Sequence, residues 1–340
     1  MVRDSLNVEI SEKLSEFVEK KKKVTKQNVI RYVKFFLIPG WRDTEFNSRE
    51  YEIGKIKSKR RVFRRLLTPL TLMGLCFIFF ITFLAVYAPW LTPFTIRRVT
   101  DSAYADALPF LPPSAEHILG TTKFGFDLLG RIIWGARTAI IFGFITIVIA
   151  ASGGVVVGTA AGYYGGRVES IIMRIVDFVI VFPGTVLVIL IVELTGNPGL
   201  LNMLVIFGMF AITGYSRLMR ASVLQVKQEL YVEAAITGGA NNFKVMFKHV
   251  FSNAISPIII SFFGGIGGAI LGFSGIAFLG FGDTSLADWG TDINYASARL
   301  SAIYATLWPG LFILISVLGF MLVGDGLRDA LDPRLQQTKG

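Results

Sequence analysis

The chain has a single cysteine, Cys76, so no intrachain disulfide can form. Its two histidines, His117 and His249, are too few and too far apart to suggest a metal cluster. No Gly-x-x-x-x-Gly-Lys-[Ser/Thr] phosphate loop occurs, which argues against ATP hydrolysis by this polypeptide. No Ser/His/Asp or Glu/His arrangement offers a credible catalytic site. Residues Met1 to Lys23 are charged and lack an apolar stretch, so no cleavable signal peptide is expected. Charge is scarce, with 17% Asp, Glu, Lys and Arg.

Apolar residues are abundant. They make up 53% of the 340 positions, too many for an ordinary soluble domain of this size. A bilayer needs roughly 20 apolar residues per helical crossing, and six stretches qualify: about 66–88, 138–162, 171–193, 199–216, 254–280 and 303–324. The fold class is therefore all-α and polytopic. Pro89, Trp90 and Pro93 are expected to break the first span and anchor its far end. Gly154, Gly158 and Gly162 recur every fourth residue on the second span, where small residues permit close approach of another helix. Arg217 and Arg220 are expected to close the fourth span.

The net charge of +10 resides mostly before the first span, so it reads as a topology signal rather than a nucleic-acid footprint. Arg60, Arg61, Arg64 and Arg65 abut that span and place its near end in the cytoplasm. Six crossings bring the C-terminus back to the same side, and the 217–249 loop is basic in agreement. The expected organisation is a basic N-terminal region 1–65, a six-helix membrane domain 66–325 with an external loop 89–136, and a tail 326–340. Leu6, Ile10, Leu14, Phe17 and Val18 share a helical face before Lys20–Lys23. That segment is either a solvated helical tail or a helix lying on anionic membrane lipid. The apolar run Arg31–Ile38 is too short to cross and could lie in the interface.

The polar segment 217–253 stands between two spans. Glu229–Ile236 favour helix, Gly238-Gly239 end it, and Asn241 or Asn242 can cap a second short helix bearing Phe243, Met246, Phe247 and Val250. Such an elbow suits docking in a groove of a soluble partner, or is a packed hairpin with none. Asp177 and Arg174 lie three residues apart on one helix and are expected to form a structural ion pair. In the fifth span, Gly264, Gly268 and Gly272 line one face, with Ser261 before them. They mark tight packing or the wall of a translocation path. The stretch from Asp283 to Asp292, with Trp289, is either a solvated loop or a docking ledge.

Glu233-Ala234-Ala235, three residues, then Gly239 resembles the coupling motif of ABC-transporter permeases. Phe251-Ser252 replace the usual Leu-Pro, while Asn253 and Pro257 match. His117-Ile-Leu-Gly-Thr121, Gly125, Asp127 and Gly135-Ala136-Arg137 are similar to the start of the dipeptide/oligopeptide-type permeases, in their second permease subunit. Thr122 and Phe126 depart from that pattern. Ala161–Gly166, Met173-Arg174, Asp177 and the run from Gly324 to Leu335 match as well, with Glu169 where Asp is common. The resemblance covers about 55–335. It implies the six-helix fold of a type I ABC importer permease in the inner membrane. It also implies ATPase coupling through Glu233, Ala234, Ala235, Gly239, Ala240 and Asn241, and no cofactor in this chain. The implied partners are a second homologous permease, two ATP-binding subunits carrying ATP and Mg, and an extracytoplasmic substrate-binding protein. Members carry peptides, and near relatives carry nickel, glutathione or oligosaccharides; no residue here decides among them. An ion-driven secondary transporter would need ionisable residues deep in several spans, and an intramembrane enzyme a nucleophile or metal set at that depth; neither is evident.

Overall fold

The computed structural model describes residues 66–105, 107–196 and 199–331; the expected N-terminal helix, the interfacial run 31–38 and the last residues of the tail lie outside them. The chain divides into two units, residues 1–64 and 65–340, and every described residue belongs to the second. Among the described residues the regular structure is all helical, with one isolated bridge between Thr121 and Asp127 in the irregular segment before the second long helix.

Helix α1 (Pro69–Leu91) starts with Pro69 in its first turn and with Thr68 Oγ1 accepting from the Thr71 amide at 3.2 Å. Pro89 lies inside this helix rather than ending it. A proline deprives the carbonyl four residues back of its helical donor, here that of Ala85. Arg137 Nε donates to Ala85 O at 3.0 Å, so the side chain of a neighbouring helix replaces the missing amide. A short α2 (Ile96–Thr100) and a 3₁₀ turn follow.

Helix α3 (Leu128–Tyr164) is 37 residues long and begins ten residues before the expected second span. Asp127 caps it, accepting from Gly130 N at 2.6 Å, and is held in turn by His117 Nδ1 at 2.9 Å. The expected external loop thus ends at Asp127. The glycine face of α3 is buried against α6 (Leu200–Lys227). A methyl group on Gly158 would stand 2.5 Å from Ser216 O, so the two backbones touch only because no side chain intervenes.

The expected third span is not one helix. Helices α4 (Gly166–Ile180) and α5 (Gly184–Thr195) meet at 82° across a break at Pro183. Pro183 disfavours helix for the residue before it and supplies no amide donor. At 1.5 Å per residue α5 alone spans roughly 18 Å, short of a bilayer core. Helix α4 keeps Arg174 and Asp177 exposed. The described residues hold five helices long and apolar enough to cross a membrane, α1, α3, α6, α9 (Ser256–Ile276, with its continuation to Phe281) and α11 (Ile303–Leu331), or six crossings if the bent pair is one.

Helix α6 runs eleven residues past its expected end, through Arg217 and Arg220. Both arginines are neutralised by α4: Arg217 Nη2 meets Asp177 Oδ1 at 2.5 Å, and Arg220 Nε meets Glu169 Oε1 at 2.7 Å. The expected Arg174–Asp177 pair is therefore corrected to Arg217–Asp177. An interhelix partner in direct reach outcompetes an exposed pair on one helix, which contributes only a few tenths of a kcal/mol.

Helix α7 (Leu230–Thr237) and α8 (Asn242–Lys244) form the elbow, α8 running on through a π-helical stretch (Val245–Phe251) and a last turn (Ser252–Ala254). Helix α9 (Ser256–Ile276) continues as a π-helical stretch (Ala277–Phe281); α10 (Trp289–Ala296) is a short helix at the opposite end of the bundle from the elbow, and α11 (Ile303–Leu331) closes the fold. Helix α11 carries straight across the boundary expected at residue 325. Buried side chains of α3, α6, α9 and α11, among them Ile132, Ile147, Met219, Ile270 and Val317, form one apolar core.

Candidate functional site

The elbow is built by a helix stop. Gly239 takes φ +78°, a left-handed conformation that an L side chain adopts only at a cost. Its amide donates to Ile236 O at 3.0 Å, and the Ala240 amide donates to Ala235 O at 3.1 Å. That paired pattern satisfies two carbonyls that the end of α7 would leave bare. Asn241 Oδ1 then accepts from Phe243 N at 3.2 Å and starts the second arm. Ser252 Oγ donates to Phe247 O at 3.1 Å, five residues back, so the π-helical stretch stays bonded where the resembling motif has proline.

One side of the elbow is anchored: Val232, Val245 and Val250 are fully buried in the core. The other side is open. Glu233, Ala234, Gly239 and Asn241 are exposed, with Ala235 and Ala240 half-buried against the apolar core. Around them Leu230, Ile236, Phe243 and Phe247 also stand exposed, Leu230 at 80%. Large apolar side chains at a helical tip, rimmed by polar groups, mark a contact surface. All six elbow residues singled out in the sequence thus meet on one projecting turn. Burial, and then Glu229 beside it, push the Tyr231 hydroxyl pKa upward.

The path candidates divide. A methyl group on Gly264 or Gly268 would meet nothing within 4 Å, whereas on Gly272 it would lie 3.2 Å from Phe207 Cε1. The open face continues through Gly275 instead. With 3.6 residues per turn, Gly272 lies about 80° round the helix from Gly264, and Gly275 only about 20°. Ser261 holds α6 through its carbonyl, which accepts from Tyr215 Oη at 3.0 Å. Ser261, Phe210, Thr213, Tyr215 and Leu218 line an open cleft of about 430 Å³.

The Asp283–Asp292 stretch is neither solvated nor a loop throughout. Trp289 is buried, its Nε1 donating to Ile132 O at 3.1 Å, in the space left by Gly135. Arg131 bonds the carboxylate of Asp292 and the carbonyl of Val99, all buried. Its guanidinium also lies 5.2 Å from the Phe126 ring. Burial pushes the Asp292 carboxyl up to about 6 against the pull of Arg131, and it raises Asp288 likewise against hydrogen bonds from Thr291. Outside this latch a cleft of about 640 Å³ is lined by Arg97, Tyr104, Phe124, Ser285 and Tyr295. Sequence reasoning missed the latch, since its two charges are 161 positions apart and no spacing links them.

The comparisons agree with this architecture. Residues 154–337 match the binding-protein-dependent transport system inner membrane component family. The dipeptide transport system permease protein of Alkalihalophilus pseudofirmus is 36% identical over 272 residues, 78% of this chain and 86% of the relative. The di/tripeptide transport system permease protein of Pseudomonas aeruginosa is 37% identical over 276 residues, covering 78% and 88%. The glutathione transport system permease protein of Pectobacterium atrosepticum is 35% identical over 262 residues, covering 76% and 85%. With an all-α bundle of multiple membrane crossings and a family match across its second half, the chain belongs to the inner-membrane permeases of binding-protein-dependent ABC importers, where it serves as a multi-pass transport subunit rather than as an enzyme.

Proposed function

We propose that this permease is one half of the translocation path of an importer for peptides or peptide-like solutes, driven through the α7–α8 elbow. The other half is a second homologous permease. Two ATP-binding subunits, carrying ATP and Mg, grip the elbows, and an extracytoplasmic binding protein delivers the solute. Both chain ends lie in the cytoplasm, on the elbow side. The observation that carries this reading is the elbow itself, fixed at its base by Val232 and Val250 and bare at its tip. Glu233 anchors the tip by pairing or hydrogen bonding to the ATPase. Ala234, Ala235, Gly239, Ala240 and Asn241 keep it slim enough to enter a groove.

The open face at Gly264 and Gly268, with Ser261 beside it, lines the path or its seam with the second permease. Gly272 belongs to the packing against α6. Few charged groups lie along this face, in keeping with a passage that leaves recognition to the binding protein. On the opposite side the cleft beside Arg97 and Ser285 is the surface that the buried latch leaves free for docking. Peptides as cargo rest on the relatives' names, among which a glutathione permease keeps that tripeptide in view.

The test is uptake of a radiolabelled dipeptide, and separately of glutathione, by cells carrying the complete operon with Gly239→Trp. Uptake is expected to fall at least tenfold, with the ATP-binding subunits no longer co-purifying with the permease. Unchanged uptake and unchanged co-purification would overturn the assignment of the elbow.

A further inference from the structure

Tyr163 joins the elbow, α3 and α6. It stands on the last turn of α3 with its ring buried. Its hydroxyl donates to the carbonyl of Asn242 at 3.0 Å, at the start of the second arm of the elbow. Its own carbonyl accepts from Lys227 Nζ at 2.7 Å, at the last residue of α6, and the same ammonium lies 5.6 Å from its ring. The contact to the elbow is a hydrogen bond to backbone, so it follows the position of α8 whatever side chain α8 carries.

The other end of α3 is held just as firmly. Roughly 50 Å away along the helix, Arg131 grips Asp292 of α10, and Trp289 of α10 donates to Ile132 O. Between these ends α3 has no proline and packs on α6 through its glycine face. A helix locked at both ends to separate elements, and free of breaks, moves as one body.

We propose that Tyr163 is a positioning residue that passes displacement of the elbow to α3, and through the Arg131–Asp292 latch to α10 at the opposite end of the bundle. This rests on the reading of the elbow as the ATPase contact. It adds a route: α3 acts as the rod, Tyr163 as its coupling pin and Asp292 as its far catch. Coupling of this kind requires both ends to bias one two-state element. The pin and the catch should therefore act non-additively.

The experiment uses the complete complex with its ATP-binding subunits in lipid nanodiscs, with Cys76→Ser and Ser285→Cys as background. Ser285 is exposed beside α10. The readout is the change in its maleimide labelling rate when the complex is trapped with ADP and vanadate, alongside ATP hydrolysis. Tyr163→Phe keeps the ring and removes only the hydroxyl. It is expected to shrink the nucleotide-induced change about fivefold, the factor of one lost hydrogen bond, while hydrolysis and assembly persist. Asp292→Asn is expected to do the same from the other end, and the double variant to be no worse than either single. A full nucleotide-induced change in Tyr163→Phe overturns the proposal. So does an additive double variant, or loss of assembly in Tyr163→Phe, which would make the tyrosine a scaffold for the elbow alone. Gly239→Trp, run in parallel, separates the two readings. If it leaves assembly and hydrolysis unchanged, the elbow assignment fails, whatever Tyr163 does.

Discussion

Asp292 is under opposing pressures: burial favours its neutral form and Arg131 its charged form, and burial prevails enough to hold its pKa at about 6. Because the folded value lies above the unfolded one, this group's contribution to stability is fully present below the unfolded pKa and is lost as pH rises through about 6. Thermal unfolding of the purified complex should therefore have an Asp292-dependent decline from about pH 4 to 6 that Asp292→Asn lacks. At pH 7.5 the same variant should be less stable than the parent by about 3 kcal/mol, since Arg131 would stay buried without its carboxylate. Equal unfolding temperatures at both pH values would show that the latch carries no load. Single residues were legible where their role is local. Gly239 reads as a helix stop and Asn241 or Asn242 as a cap from neighbours alone, and the structure gives Gly239 the stop and Asn241 the cap. Asp177 did not, because its partner Arg217 comes from a helix that only folding brings within reach.

Helices were legible through apolar length, and their ends were not. Helix α3 starts at an Asp cap that the eye passes over because Arg131 and Arg137 interrupt the apolar run. With Arg131 buried on Asp292 and the half-buried Arg137 bonded to Ala85 O, those arginines no longer oppose a helix. Helix α6 likewise outlasts its apolar stretch because Glu169 and Asp177 of α4 meet its two arginines. Proline worked in both directions: Pro183 breaks the chain by 82°, and Pro89 is absorbed because Arg137 supplies the missing donor. The α3–α6 seam depends on the absence of side chains. Gly158→Leu is expected to cost about 3 kcal/mol by overpacking against Ser216 O. The expected readout is a strong drop in the yield of folded permease by fluorescence-detected size exclusion, with a Gly310→Leu control, where a side chain would meet nothing, affected far less.

For the chain as a membrane subunit, charge sets the expected orientation. Basic residues before α1 and along 217–249 predict that elbow and termini share the cytoplasmic side. With Cys76 replaced by serine, an impermeant maleimide should label Glu116→Cys in intact cells and Thr237→Cys only after permeabilisation. The reverse pattern would invert the topology. The elbow's position and its turn were likewise legible in the sequence, since Glu233-Ala234-Ala235 and Gly239 are near neighbours and a helix with its stop needs only nearness along the chain.

Composition, apolar run lengths and local stop signals were enough to establish an all-helical membrane subunit with a polar elbow between its fourth and fifth apolar stretches. These depend on near neighbours in the chain, which hydrogen bonding and desolvation act on first. Folding alone decided which charges meet, where the third stretch bends, which glycines face open space, and that α3 ties Tyr163 at the elbow to Asp292 at the other end. Those outcomes depend on groups far apart in sequence, whose pairing energy exists only once helices pack.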